Sequence, residues 1–297
     1  MFEGATTALI TPFLENGEVD FDGFRSNVEK QIASGIHGLL VLGTTGETPT
    51  LNADEQERLI RITVETADHR VPVMVGTGTN DTAATVRKTS RAAELGADAV
   101  LVVTPYYNKP TSEGLFRHFQ AAAGSADIPV FVYNIQGRSG RNIETPLLKR
   151  IAGIKGIAGV KEASGNIGQI SDVIEQLGRS DSFTVLSGDD GMTLPLMALG
   201  GRGVISVISN GIPNQVSRFT SAALKGDWDL ARKMHFDVIM PVTRAAFIET
   251  NPVPIKYICA KLGMASGTYR LPMCPLEEDN RRRVDQMLAA LGLAGKG

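Results

Sequence analysis

Ile157-Ala158-Gly159-Val160-Lys161 is the stretch that decides the fold. Its residues are apolar in unbroken succession, not in alternation with polar ones, as a parallel strand covered on both faces requires. Lys161 closes the run, and a segment of helical period follows it. The same unit recurs along the chain, with further apolar runs at 5–10, 38–42, 71–75, 99–103, 129–133, 184–187 and 203–207. Strand–helix units spaced roughly 20–34 residues apart predict an α/β fold, the (β/α)8 TIM barrel, usually ~250 residues long.

The segments between the runs carry helix signals. Asn52 and Glu55 form a capping-box pattern ahead of a helix predicted over 53–67. Thr145-Pro146 offers an N-cap followed by proline at the first helical position. Phe24, Val28 and Ile32, spaced four apart, line one buried stripe of the first helix. After Val207 the period turns helical, with candidate helices at 213–225, 228–247, 252–262 and 276–291. One of these closes the barrel and the rest form a C-terminal helical appendage. The expected organisation is a barrel over 1–225 carrying the active site, with a helical region over 226–297 packed on it. A doubly wound open sheet competes, but its dinucleotide fingerprint fails: Asp81 stands where GxGxxG needs its third glycine.

A chain of 297 residues can bury roughly three quarters of its unfolded surface and needs no covalent staples. A formal net charge of −2 excludes a nucleic-acid partner as an expectation. Cys259 and Cys274 are too few for a disulfide scaffold, and the scattered His37, His69, His118 and His235 form no metal-ligand spacing. No apolar run of about 18 residues would span a membrane, and no signal-peptide pattern opens the chain. The expected location is the cytoplasm.

In barrels of this kind the site lies where strands end and their following loops begin. Here those positions read Gly43-Thr44-Thr45-Gly46-Glu47, Thr104-Pro105-Tyr106-Tyr107, Tyr133-Asn134 with Arg138, Lys161, and Ser187-Gly188-Asp189-Asp190. An ammonium at the end of a buried strand is favoured in its neutral form, the nucleophile that converts a ketone into an imine. The alternative for Lys161 is a side chain that snorkels to water. Tyr133 ends the strand adjacent to that of Lys161, and Thr44 and Tyr107 could extend a hydroxyl chain from it to solvent. Each tyrosine could equally be an amphipathic core residue. The glycines and hydroxyls of 43–46 suit a carboxylate, or simply a tight turn. Arg138 could clamp a second carboxylate with its planar fork, or lie free on a surface loop.

Taken in order, these motifs resemble the dihydrodipicolinate synthase / N-acetylneuraminate lyase family. The opening Ala8-Leu9-Ile10-Thr11-Pro12-Phe13 belongs to the resemblance, as do Val160-Lys161-Glu162-Ala163, Gly203-Val204-Ile205-Ser206-Val207 and Asn251-Pro252. It covers essentially the whole chain. It implies a lyase in which Lys161 forms a Schiff base with pyruvate and Tyr133 donates and accepts protons, with no cofactor and no metal. Thr44 and Tyr107 would complete a proton relay, Tyr107 being supplied by a neighbouring subunit of a homotetramer built as a dimer of dimers. Thr45, Ile205 and Gly188 would line the pyruvate subsite. Arg138 would take the carboxylate of L-aspartate 4-semialdehyde, giving 4-hydroxy-tetrahydrodipicolinate, the entry to lysine and diaminopimelate.

Gln136 departs from the proline usual in the synthase loop and frees the backbone that aims Arg138. Ala53, Gln56 and Ala84 replace the His and Glu residues of lysine-inhibited members, which implies weak lysine inhibition. A sugar-acid aldolase of N-acetylneuraminate or 2-keto-3-deoxygluconate type and a non-catalytic binding barrel are the competing readings. A hydrolase on Asp189 and Asp190 is disfavoured, since neighbours on one strand face opposite ways.

Overall fold

A computed structural model describes residues 2–293. Met1, and the last four residues of the 226–297 region, lie outside the described residues. Eight strands follow in chain order: β1 (Gly4–Ala8), β2 (Gly38–Val41), β3 (Val73–Gly76), β4 (Ala99–Val103), β5 (Val130–Asn134), β6 (Ile157–Glu162), β7 (Thr184–Ser187) and β8 (Gly203–Ser206). Each pairs in parallel with its sequence neighbour, and β8 returns to pair with β1, so the sheet closes into a barrel. All eight coincide with the apolar runs, shifted by a residue or two at their ends.

The closing seam depends on two glycines. Gly203 faces Gly4 across β8 and β1, and a Cβ on Gly203 would stand 2.0 Å from the Gly4 carbonyl oxygen. Both have positive φ, +151° and +74°, which side-chain-bearing residues rarely adopt. Inside the barrel Ala8, Leu40, Met74, Leu101, Phe131, Tyr133, Leu186 and Ile205 pack together. A larger apolar layer fills the space between strands and helices. This two-sided burial is what makes the runs continuous rather than alternating.

The helix Ala53–Ala67 begins with the expected capping box, both reciprocal bonds being formed between Asn52 and Glu55. On the helix Phe21–Ala33, Phe24 and Val28 are buried, but Ile32 is only half-buried and Asn27 and Gln31 share the inner face. Glu144 stands at the N-cap position of the helix Thr145–Ala152 without a side-chain capping bond, so Thr145 is its first residue and Pro146 its second, one position later than the sequence predicts. The single helix expected over 228–247 is interrupted by a π turn at His235–Ile239, between Trp228–Met234 and Met240–Ala246. Pro241 follows the turn and cannot donate a helical hydrogen bond, so the ladder changes step ahead of it. Pro213–Leu224 packs against β1 and β8, and Val253–Lys261 and Glu278–Ala290 complete the C-terminal helices. Among the described residues no helix is long and apolar enough to cross a membrane.

Candidate active site

Parallel pairing places Tyr133 and Lys161 directly opposite each other at the ends of β5 and β6. Both point into the barrel, and the Lys161 Nζ stands 4.2 Å from the centroid of the Tyr133 ring. Lys161 is only 6% exposed. Burial pushes its pKa down to about 7; the Asp190 carboxylate opposes that shift and Arg138 adds to it. Burial also pushes the Tyr133 phenol upward, so it remains protonated at neutral pH. Just after β7, a Cβ on Gly188 would lie 3.0 Å from Lys161 Cε and 2.8 Å from the Ala163 Cβ. The missing side chain of Gly188 is therefore the space through which the lysine extends.

The cavity above these residues measures about 360 Å³. Thr44, Tyr106, Tyr133, Arg138 and Lys161 contribute to its wall, as do Gln56 and Lys88. The loop after β2 makes a short 3-10 turn, Thr44–Gly46, and leaves Glu47 in the left-handed region at φ 53°. Thr44 is exposed at the cavity mouth, whereas Thr45 lies buried beneath the turn. The Thr45 Oγ1 accepts a hydrogen bond of 3.0 Å from Asn251 Nδ2. Glu47, one of the residues expected at the mouth, turns away from it and pairs with Lys256 at 2.7 Å, both side chains being buried.

Arg138 lies on the short helix Gln136–Ser139 and donates from Nη2 to the Asn251 carbonyl at 3.2 Å. Gln136 opens that helix, where a backbone N–H has no intrahelical partner. The loop is nevertheless fixed: Ser139 Oγ donates to the Ile135 carbonyl at 2.8 Å and accepts from the Arg141 N–H at 3.2 Å, and Asn134 Oδ1 accepts from the Ile143 N–H.

Tyr107 is not brought to Tyr133 within one chain. It is 90% exposed and sits at φ 73°, projecting from the loop after β4, while its neighbour Tyr106 faces the cavity. Ile205 is buried in the barrel interior, in the same cluster as Tyr133. Asp189 accepts from the Gly191 N–H as a cap. Asp190 holds the Val207 and Ile208 N–H groups at 3.0 and 3.3 Å. Burial raises the Asp190 carboxyl to about 6 against the pull of those bonds. These acids brace the loops after β7 and β8. Among the described residues no group of three or more His, Cys, Asp or Glu side chains is placed to hold a metal.

Sequence reasoning passed over the role of Asn251 and Lys256. Asn251-Pro252 was noted as a motif without a function. Lys256 lies in the run Val253–Lys261 among Val253, Ile255, Ile258 and Cys259, and a lysine inside so apolar a helix is itself a signal.

Fold and site together define a (β/α)8-barrel lyase. Residues 1–291 match the model of the dihydrodipicolinate synthetase family, and the chain belongs to that family. It is 45% identical over 293 residues to the 4-hydroxy-tetrahydrodipicolinate synthase of Methanosarcina acetivorans, covering 99% of each. The crystal structure of dihydrodipicolinate synthase from Aquifex aeolicus superposes with a TM-score of 0.95 at 42% identity, covering 100% of both chains. That from Thermotoga maritima superposes with a TM-score of 0.95 at 41% identity over 99% of both.

Proposed function

We propose that this chain condenses pyruvate with L-aspartate 4-semialdehyde to give 4-hydroxy-tetrahydrodipicolinate, the first step toward diaminopimelate and lysine, by way of an imine on Lys161. The observation that carries the reading is the burial of the Lys161 amine beside Tyr133, with a pKa of about 7. At that value a large fraction is neutral at neutral pH and can attack the pyruvate carbonyl.

The steps balance without an added cofactor. Lys161 adds to C2 of pyruvate and water leaves, forming the imine. Loss of a methyl proton gives the enamine, whose carbon attacks the aldehyde of the second substrate. The substrate's own amine then displaces Lys161 and closes the ring. Tyr133, held neutral, gives a proton to the departing oxygen and recovers it. Thr44 and Tyr107 carry that proton to solvent, Tyr107 arriving from a neighbouring copy in a tetramer of two tight dimers. The exposure of Tyr107 in the single chain supports that assignment. Thr45, the Ile205 main chain and Gly188 form the pyruvate subsite, and Arg138 takes the second substrate's carboxylate.

Intact mass after pyruvate and borohydride tests this directly. Wild type should gain one reduced pyruvate adduct and Lys161→Ala none, and wild type should then turn over aspartate semialdehyde. A folded wild type that gains no adduct would remove the imine mechanism. Adduct formation without aspartate semialdehyde turnover would leave a sugar-acid aldolase.

A further inference from the structure

Asn251 joins the two groups assigned to the two substrate carboxylates. Its side-chain Nδ2 donates to Thr45 Oγ1, and its backbone carbonyl accepts from Arg138 Nη2. Asn251 is 5% exposed and Thr45 3% exposed. The Asn251 Oδ1 is buried without a hydrogen-bond partner. Burying an amide that satisfies only half its capacity costs stability, so its place is poorly explained by stability alone.

The chemistry of a hydroxyl gives the alternative. Thr45 Oγ1 can accept and can donate one proton. With Asn251 occupying it as acceptor, the proton is left to point elsewhere, and among the described residues Thr45 Oγ1 donates no hydrogen bond to the protein. A carboxylate is acceptor-only, and is the partner such a hydroxyl fits.

We propose that Asn251 is a positioning residue, which commits the Thr45 hydroxyl to donating to the pyruvate carboxylate and, through its own carbonyl, fixes Arg138 relative to it. The separation of the two carboxylate subsites is thus set by one residue that touches neither substrate. The inference rests on the proposed function above, since it takes pyruvate as the ligand of Thr45.

The test is a double-variant cycle on the full chain using Thr45→Val, Asn251→Leu and the pair together. The readouts are the pyruvate concentration that half-saturates the borohydride-trapped adduct, the KM for aspartate semialdehyde, and the melting temperature. Asn251→Leu should raise the pyruvate half-saturation roughly tenfold, the scale of one hydrogen bond to a charged group. In the Thr45→Val background it should add nothing. Its KM for aspartate semialdehyde should stay near wild type, because the carbonyl that holds Arg138 is retained. Equal effects in both backgrounds, or parallel rises in both KM values with a fall in melting temperature, would show a merely structural role and overturn the proposal.

If Asn251→Leu does not fold, the isosteric Asn251→Asp decides the matter. It places an acceptor where the donor stands, so the Thr45 proton turns away from pyruvate and trapping weakens. Wild-type trapping by Asn251→Asp would mean that position 251 need only accept, and the proposal falls. No adduct in wild type itself overturns the imine reading and this inference with it. A wild-type adduct with additive variants overturns the positioning role alone.

Discussion

Lys161 and Tyr133 face each other across adjacent parallel strands, the amine standing 4.2 Å from the ring centroid. Both side chains are buried, each only 6% exposed, and that shared burial dominates the ionisation of both. With Lys161 at about 7, the neutral amine gains population as pH rises through that value. The initial rate of adduct trapping at fixed pyruvate should therefore climb through about pH 7 and level off above it. A profile that rises only near pH 10, where solvated lysines titrate, would refute the dry-site account.

The same burial has a stability consequence. Unfolded, Lys161 binds its proton with the ordinary pKa of 10.5; folded, with one of about 7. Between these values the unfolded chain holds more protons, so this group's contribution raises stability as pH increases, and its full penalty applies below about 7. Lys161→Met should stabilise the inactive protein by on the order of 1–3 kcal/mol at neutral pH, measured by urea unfolding. Equal or lower stability would contradict the penalty.

Gly188 leaves room for the lysine stem. A methyl there would sit 3.0 Å from Lys161 Cε and 3.1 Å from its Cγ, so the stem must move. Gly188→Ala should lower kcat by roughly tenfold, less than the ~100-fold of a 1 Å misplacement, because the stem need shift by only a few tenths of an ångström. Folding, followed by far-UV circular dichroism, should be retained. Undiminished kcat would show that the stem has slack.

The Lys256–Glu47 pair is fully enclosed, with Lys256 also donating to the Thr268 carbonyl at 2.7 Å. Lys256→Met would strand the Glu47 carboxylate and should cost about 3–5 kcal/mol in urea unfolding. The double variant Lys256→Met/Glu47→Gln should recover part of that loss. A single variant as stable as wild type would show the pair to be dispensable.

In the wall of the cavity, Gln56 accepts from Lys88 Nζ at 3.0 Å and donates to the Leu51 carbonyl at 2.8 Å. A half-buried ammonium there repels another ammonium. Millimolar L-lysine should therefore change the initial rate by less than about twofold, short of the 5–150-fold typical of a coupled effector. Strong inhibition in that titration would place a lysine site here despite Lys88.

The strands were legible because burial on two faces removes polar residues from a run, a local signal that needs no tertiary knowledge. Tyr133 and Lys161 were legible for the same reason, as polar residues ending such runs. Periodicity could not show that Glu47 turns from the mouth toward Lys256, 209 residues away, or that Asn251 reaches Thr45 across 206 residues. Those contacts depend on how the C-terminal helices return over the barrel. Gln136 could be read as a loosened loop, but the hydrogen bonds of Ser139 and Asn134 that hold it come from residues whose neighbours in space are set by the fold. The π turn at His235–Ile239 was hidden because its sequence keeps a helical period on either side.

The brace formed by Asn251 and Lys256 also gives the protein an order of assembly. During synthesis every barrel strand emerges before either residue, so the loop after β2, already tied to Thr11 through the Gly46 carbonyl, still lacks its bonds to Asn251 and Lys256. The turn Thr44–Gly46 and Glu47 gain those contacts only when the C-terminal helices fold back over the barrel. A chain that stops short of Asn251 lacks both contacts.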